Sequence, residues 1–141
     1  MIIGIGVDIA EVHRYEFDDL KLERFAHKVF TEAEVAHAKR YRYPAERLAG
    51  AYAAKEATRK AFGHAIPWRH VGVRHQRSGR PFIELTGRAE QLMSARGVRR
   101  MHLTITHSRS DAIAIVILEA DDPAGGVMSS PLTGAGEAAA R

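Results

Sequence analysis

Apolar and polar positions alternate at the start of the chain. In "IIGIGVD", Ile3, Ile5 and Val7 fall on one face and Gly4, Gly6 and Asp8 on the other, which predicts a short β-strand with one nearly bare face. The alternation then stops. Across residues 9–28, Phe17, Leu20, Leu22 and Phe25 are spaced as in helical or irregular chain. "FTEAEVAHAKRY" predicts a helix, because Thr31 and Glu34 make a T-x-x-E capping box behind apolar Phe30. Pro44 interrupts, and a long helix is expected from about Glu46 to Phe62, closed by Gly63.

Beyond it, "VGVRHQ" and "RPFIEL" read as strands joined by an "RSG" turn in which Gly79 can take positive φ. "GRAEQLMSARG" predicts a helix ending at Gly97, and "MHLTITH" and "AIAIVILE" two last strands around an "SRSD" turn. The order implies an α+β fold: a mostly antiparallel sheet packed against a long central helix and shorter helices. One domain is expected over residues 1–120. From Asp121 to Arg141, Pro, Gly, Ala and Ser dominate, which predicts a flexible tail. Five strands in so short a domain are expected to leave an apolar face or an edge uncovered, favouring self-association.

Composition narrows the setting. An apolar share of 45% and a charged share of 27% are ordinary for a globular domain. No apolar run reaches the length of a membrane span, and no secretion signal is expected at the N-terminus. The absence of cysteine excludes disulfides and thiolate zinc sites and fits a cytoplasmic location. The net charge is +4, yet the tail carries Asp121, Asp122 and Glu137 against Arg141 alone, so the preceding residues are more basic still. Such a surplus favours anionic partners without choosing among them, and solubility alone would also explain it.

The segment "AGAYAAKEATRKAFG" carries the candidate chemistry. Gly50, Ala54, Ala57 and Ala61 form one helical stripe of tiny side chains, beside a stripe of Ala49, Ala53, Glu56 and Lys60. A bare helix face and the bare strand face of Gly4 and Gly6 can approach closely, which would bring Asp8 and Glu56 together. Two ionised carboxylates that close need a proton or a cation between them. With no thiolate and no histidine pair at ligand spacing, a hard, oxygen-bound ion such as Mg²⁺ fits best. Simpler roles compete: Glu56 and Lys60 suit an i, i+4 ion pair, and Asp8 suits a helix N-cap. His107 and Ser108 lack an acidic partner for a triad, His70, His75 and His102 are scattered, and "GIGVDI" lacks the third glycine of a dinucleotide loop.

Four motifs in order, "GIGVDIAEVHR", "AAKEATRKAFG", "GRPFIELTG" and "HLTITHSRSDAIAIVIL", resemble those of the holo-acyl-carrier-protein synthases, the small trimeric branch of the 4′-phosphopantetheinyl transferases. The resemblance runs from Met1 to about Ala120. It implies transfer of phosphopantetheine from coenzyme A to a serine of apo acyl carrier protein, with Mg²⁺ and release of adenosine 3′,5′-bisphosphate. It further implies that Asp8 and Glu56 bind the metal and act in catalysis with Lys60, which lies near the phosphates. Gly63, Gly79, Arg80, Pro81, His107 and Ser108 match coenzyme A positions, and Arg14 and Arg24 match basic positions facing the acidic carrier. Active sites between subunits of a homotrimer are implied as well. The general base stays open between Glu56 and a water on the metal.

The chain departs from the family at Ala51, where relatives carry Arg or Lys; Arg47, one turn earlier, can stand in for that cation. Two other readings use fewer features. A non-catalytic basic module for nucleic acid or an acidic protein explains the charge but not Asp8 and Glu56, and no aromatic-basic RNA motif is present, so no nucleic-acid partner is expected. Another Mg²⁺-dependent nucleotide-processing enzyme uses the metal site alone.

Overall fold

The computed structural model describes residues 1–123, so the tail expected from residue 121 lies, after its first three residues, outside the described part. The chain runs β1 (Ile2–Glu11), a 3₁₀ turn (Val12–Tyr15), α1 (Asp19–Ala26), α2 (Glu32–Ala38), α3 (Pro44–Phe62) and a second 3₁₀ turn (Trp68–His70). It continues with β2 (Val71–His75), β3 (Pro81–Leu85), α4 (Gly87–Ala95), β4 (Val98–His107) and β5 (Asp111–Ala120). The class is α+β, as expected. The sheet is in two pieces: β1-β5-β4 and the hairpin β2-β3, every pairing antiparallel. Among the described residues no helix is long and apolar enough to cross a membrane.

Local signals explain the boundaries. Thr31 and Glu34 make the reciprocal capping box at the start of α2, and Asp18 accepts the Lys21 N–H at 2.7 Å to open α1. Pro44 is the first residue of α3 rather than a break ahead of it, because its fixed φ suits a position where the N–H has no helical partner. Gly63 closes α3 at φ 64°, with its N–H on Lys60 O and the His64 N–H on Arg59 O. Gly79, at φ 87°, donates to Gln76 O and turns the β2-β3 hairpin.

Helix α3 lies on the inner face of β1 and β5. That face is made of Gly4, Gly6, Asp8 and Ala10 on β1, beside Ala112, Ala114, Val116 and Leu118 on β5. A Cβ built on Gly6 would stand 2.8 Å from both the carbonyl carbon of Ala57 and the nitrogen of Ala61. On Gly4 it would meet Leu118 at 3.1 Å and the Ala61 carbonyl carbon at 3.2 Å. The expected contact of bare strand on bare helix is therefore real, and backbone atoms close it. Gly50 belongs elsewhere, its open side facing Ile105 on β4. Gly6→Ala must push α3 off the sheet and is expected to cost about 1–3 kcal/mol or more by denaturant titration. A variant as stable as wild type would mean the helix can withdraw freely.

The isoleucine face of β1 points the other way. Ile5, Val7 and Ile9 are 62%, 53% and 62% exposed, and Ile113 and Ile115 continue the apolar surface on β5. This is the uncovered face that strand count and length led us to expect.

Candidate active site

Strand alternation carries Asp8 inward on the glycine face, while helical spacing sets Glu56 and Lys60 one turn apart on α3. Lys60 does not pair with Glu56. Its Nζ donates to Asp8 Oδ1 at 2.9 Å and to Val7 O at 3.1 Å, which raises the Lys60 pKa chiefly through the Asp8 hydrogen bond. Glu56 Oε1 instead accepts from Arg59 Nη1 and from Trp68 Nε1, both at 2.6 Å. The two carboxylates share a neighbourhood. Burial and then the charges of Glu56 and Asp8 raise the Tyr52 pKa, with Arg59 opposing; Tyr15 is raised chiefly by burial, and Asp8 and Glu56 contribute.

Asp8 and Glu56 are largely buried, at 15% and 22% side-chain exposure. Asp8 Oδ2 and Glu56 Oε2 have no hydrogen-bond partner among the described residues. Among those residues no group of three or more His, Cys, Asp or Glu side chains could hold a metal. Two carboxylates with spare oxygens thus fit a hard cation whose remaining ligands are water and substrate phosphate, as Mg²⁺ commonly takes. They do not fit a cation caged by protein alone.

Most of the other residues expected to meet coenzyme A lie toward the other end of α3. Arg47, Gly79, Pro81 and His107 line a cavity of about 140 Å³ together with Ala51. Arg47 shares the Ala51 wall, with its Cζ stacked 3.8 Å from the Tyr41 ring centroid, so a cation stands beside Ala51, where the resemblance led us to expect one. His107 Nδ1 is 3.5 Å from Glu46 Oε2. Arg80 and Ser108 are exposed and outside the cavity lining, and Ser108 Oγ accepts the N–H groups of Ser110 and Asp111 at 3.2 Å. Thirteen residues of helix, about 20 Å, separate Arg47 from Lys60, so one chain does not bring the two groups together. Gly63 belongs to the carboxylate end. Arg14 pairs loosely with Glu11 at 3.5 Å, and Arg24 is exposed in the last turn of α1.

Sequence reasoning did not foresee His37 and His75 stacked 3.7 Å apart against the same cavity. Burial, the neighbouring imidazole and Arg47 push His75 down to about 4, and His37 is also lowered, by burial with Arg47 and Arg40. The fold thus favours neutral His75. Between pH 6.5 and about 4 the unfolded chain gains a proton that the folded chain refuses, so stability falls as pH falls. The fall in Tm across that window should be shallower in His75→Phe than in wild type; equal slopes would remove His75 as the cause.

A model of the 4′-phosphopantetheinyl transferase superfamily matches residues 4–115. The chain belongs to this superfamily. The holo-(acyl-carrier-protein) synthase of Halothermothrix orenii is 42% identical to the transferase over 123 residues, covering 84% of this chain and 98% of its own. That of Treponema denticola is 42% identical over 125 residues, with 84% and 99% covered. The solved holo-(acyl-carrier-protein) synthase of Bacillus anthracis, in complex with CoA (3′,5′-ADP), matches the transferase with TM-score 0.69 at 33% identity, covering 86% of this chain and 99% of that one. The Neisseria meningitidis enzyme gives TM-score 0.72 at 28% identity, with 84% and 99% covered.

Two further groups of the transferase escaped the sequence. Lys55 is fully buried, its Nζ 2.8 Å from Glu34 Oε1 and donating to the carbonyls of Trp68 at 3.0 Å and Val71 at 2.5 Å. Trp68, the one tryptophan in the chain, holds Glu56. Neither has a local signal: their partners lie 12 to 21 residues away in sequence, on other elements.

Proposed function

We infer that the chain transfers 4′-phosphopantetheine from coenzyme A to a serine of apo acyl carrier protein, releasing adenosine 3′,5′-bisphosphate. The observation that carries this reading is the delivery of Asp8, Glu56 and Lys60 to one neighbourhood by the glycine-mediated contact of β1 with α3, in a chain that belongs to the 4′-phosphopantetheinyl transferase superfamily. Asp8 and Glu56 would hold Mg²⁺, which when bound would neutralise the pyrophosphate of coenzyme A. Lys60, 56% exposed and held by Asp8 and the Val7 carbonyl, would add positive charge where the leaving phosphate becomes more negative. The attacking serine belongs to the partner, which explains a site without a nucleophile of its own.

Arg47, Gly79, Arg80, Pro81, His107 and Ser108 would take the nucleotide of coenzyme A, with Gly63 closing the helix beside Lys60. We place the complete site between subunits of a homotrimer. The uncovered isoleucine face of β1 and β5 supplies a surface for association, and the distance between the two ends of α3 suits a site built from two chains. Arg14 and Arg24 would dock the acidic carrier from a single domain spanning residues 1–120, in the cytoplasm. Incubation with coenzyme A, Mg²⁺ and apo carrier protein should add the mass of one phosphopantetheine group to the carrier. No gain across several apo carriers would overturn the reading.

A further inference from the structure

We propose that Trp68 is a positioning residue for Glu56, fixing one carboxylate oxygen through its indole N–H so that the other is presented to the metal. The proposal rests on the metal reading above. Trp68 Nε1 and Arg59 Nη1 both donate to Oε1, leaving Oε2 without a partner among the described residues. The donors differ in kind. Arg59 carries a full positive charge that a divalent cation on the same carboxylate repels, and its buried Nε has no hydrogen-bond partner to anchor it. The indole is neutral and donates one proton in one direction, so it can keep Oε1 while a cation approaches.

Trp68 is itself held from behind. Its carbonyl accepts from Lys55 Nζ at 3.0 Å, and Lys55 is anchored by Glu34 at 2.8 Å and the Val71 carbonyl. The Arg59 guanidinium lies 4.9 Å from the indole centroid and the Tyr52 ring 6.4 Å from it. Two consecutive residues of α3 therefore grip Trp68 at both ends: Lys55 takes its backbone from the core side, and Glu56 its side chain. Hydrogen bonds of this kind to ligating carboxylates commonly hold 10- to 100-fold of metal affinity.

Because Trp68 is the sole tryptophan, biosynthetic replacement by β-(3-benzothienyl)alanine removes the N–H and keeps the ring shape at this one position. Mn²⁺ binding in the presence of coenzyme A, read by electron paramagnetic resonance of the free ion, should weaken about 10- to 100-fold with Tm unchanged. Transfer at saturating metal should recover most of its rate. Trp68→Phe should reproduce the loss, and Glu56→Gln should abolish binding. Binding within twofold of wild type in the substituted protein, with Glu56→Gln still abolishing it, would overturn the role of Trp68 and leave the metal reading standing. No Mn²⁺ binding by the wild-type protein would overturn both.

Discussion

Asp8→Asn and Glu56→Gln are each expected to lower transfer by at least about 100-fold, because on the proposed reading each removes a carboxylate that would hold the cation neutralising the pyrophosphate. The fold should hardly notice. The Lys60 side chain that Asp8 binds is 56% exposed, and exposed ion pairs contribute only about 0–1 kcal/mol. Glu56→Gln keeps an oxygen that can still accept from Trp68 and Arg59. The check is transfer measured by intact mass of the carrier, beside Tm and the tryptophan emission of the same preparations. Residual activity within tenfold of wild type, in either variant, would take that carboxylate out of the mechanism.

The sequence showed the contact that builds this site more clearly than the partners within it. Gly4 and Gly6 alternate with isoleucines, and Ala57 and Ala61 follow helical spacing, so local periods alone place the two bare faces. Once the glycines touch a helix, the strand must turn its isoleucines away from it, which is the uncovered face that the structure shows. Which cation meets which carboxylate was not legible. Lys60 and Glu56 have ideal i, i+4 spacing, but the close approach of β1 sets Asp8 within reach of Lys60, while Arg59 and Trp68 take Glu56. Tertiary geometry overrode a local preference worth only a few tenths of a kcal/mol. The division of the strands into two sheets was equally hidden, because strand patterns specify faces and not neighbours. Glu34 was read as a capping residue, and it is one; its second oxygen accepts the Val73 N–H at 2.9 Å.

Lys55→Met is expected to be the most damaging single change to the fold, at about 3–5 kcal/mol, because it strands a buried charge. Lys55 and Glu34 have 0% and 1% side-chain exposure, and their atoms meet at 2.8 Å. Burial lowers the Lys55 pKa against the opposing pull of Glu34, so desolvation already outweighs the attraction within the pair. Removing the ammonium leaves the Glu34 carboxylate with neutral donors only, from Val73 and Thr31, and takes the donor from the carbonyls of Trp68 and Val71. Urea titration measures the loss. Adding Glu34→Gln to Lys55→Met should return part of it, since the uncompensated charge then disappears while an amide can keep the Val73 N–H bonded. A single-variant loss below about 1 kcal/mol would mean that water reaches Glu34 once Lys55 is gone. The two readouts also separate fold from site: when Lys55 releases the Trp68 carbonyl, tryptophan emission should shift toward that of exposed indole in native buffer, before any global unfolding.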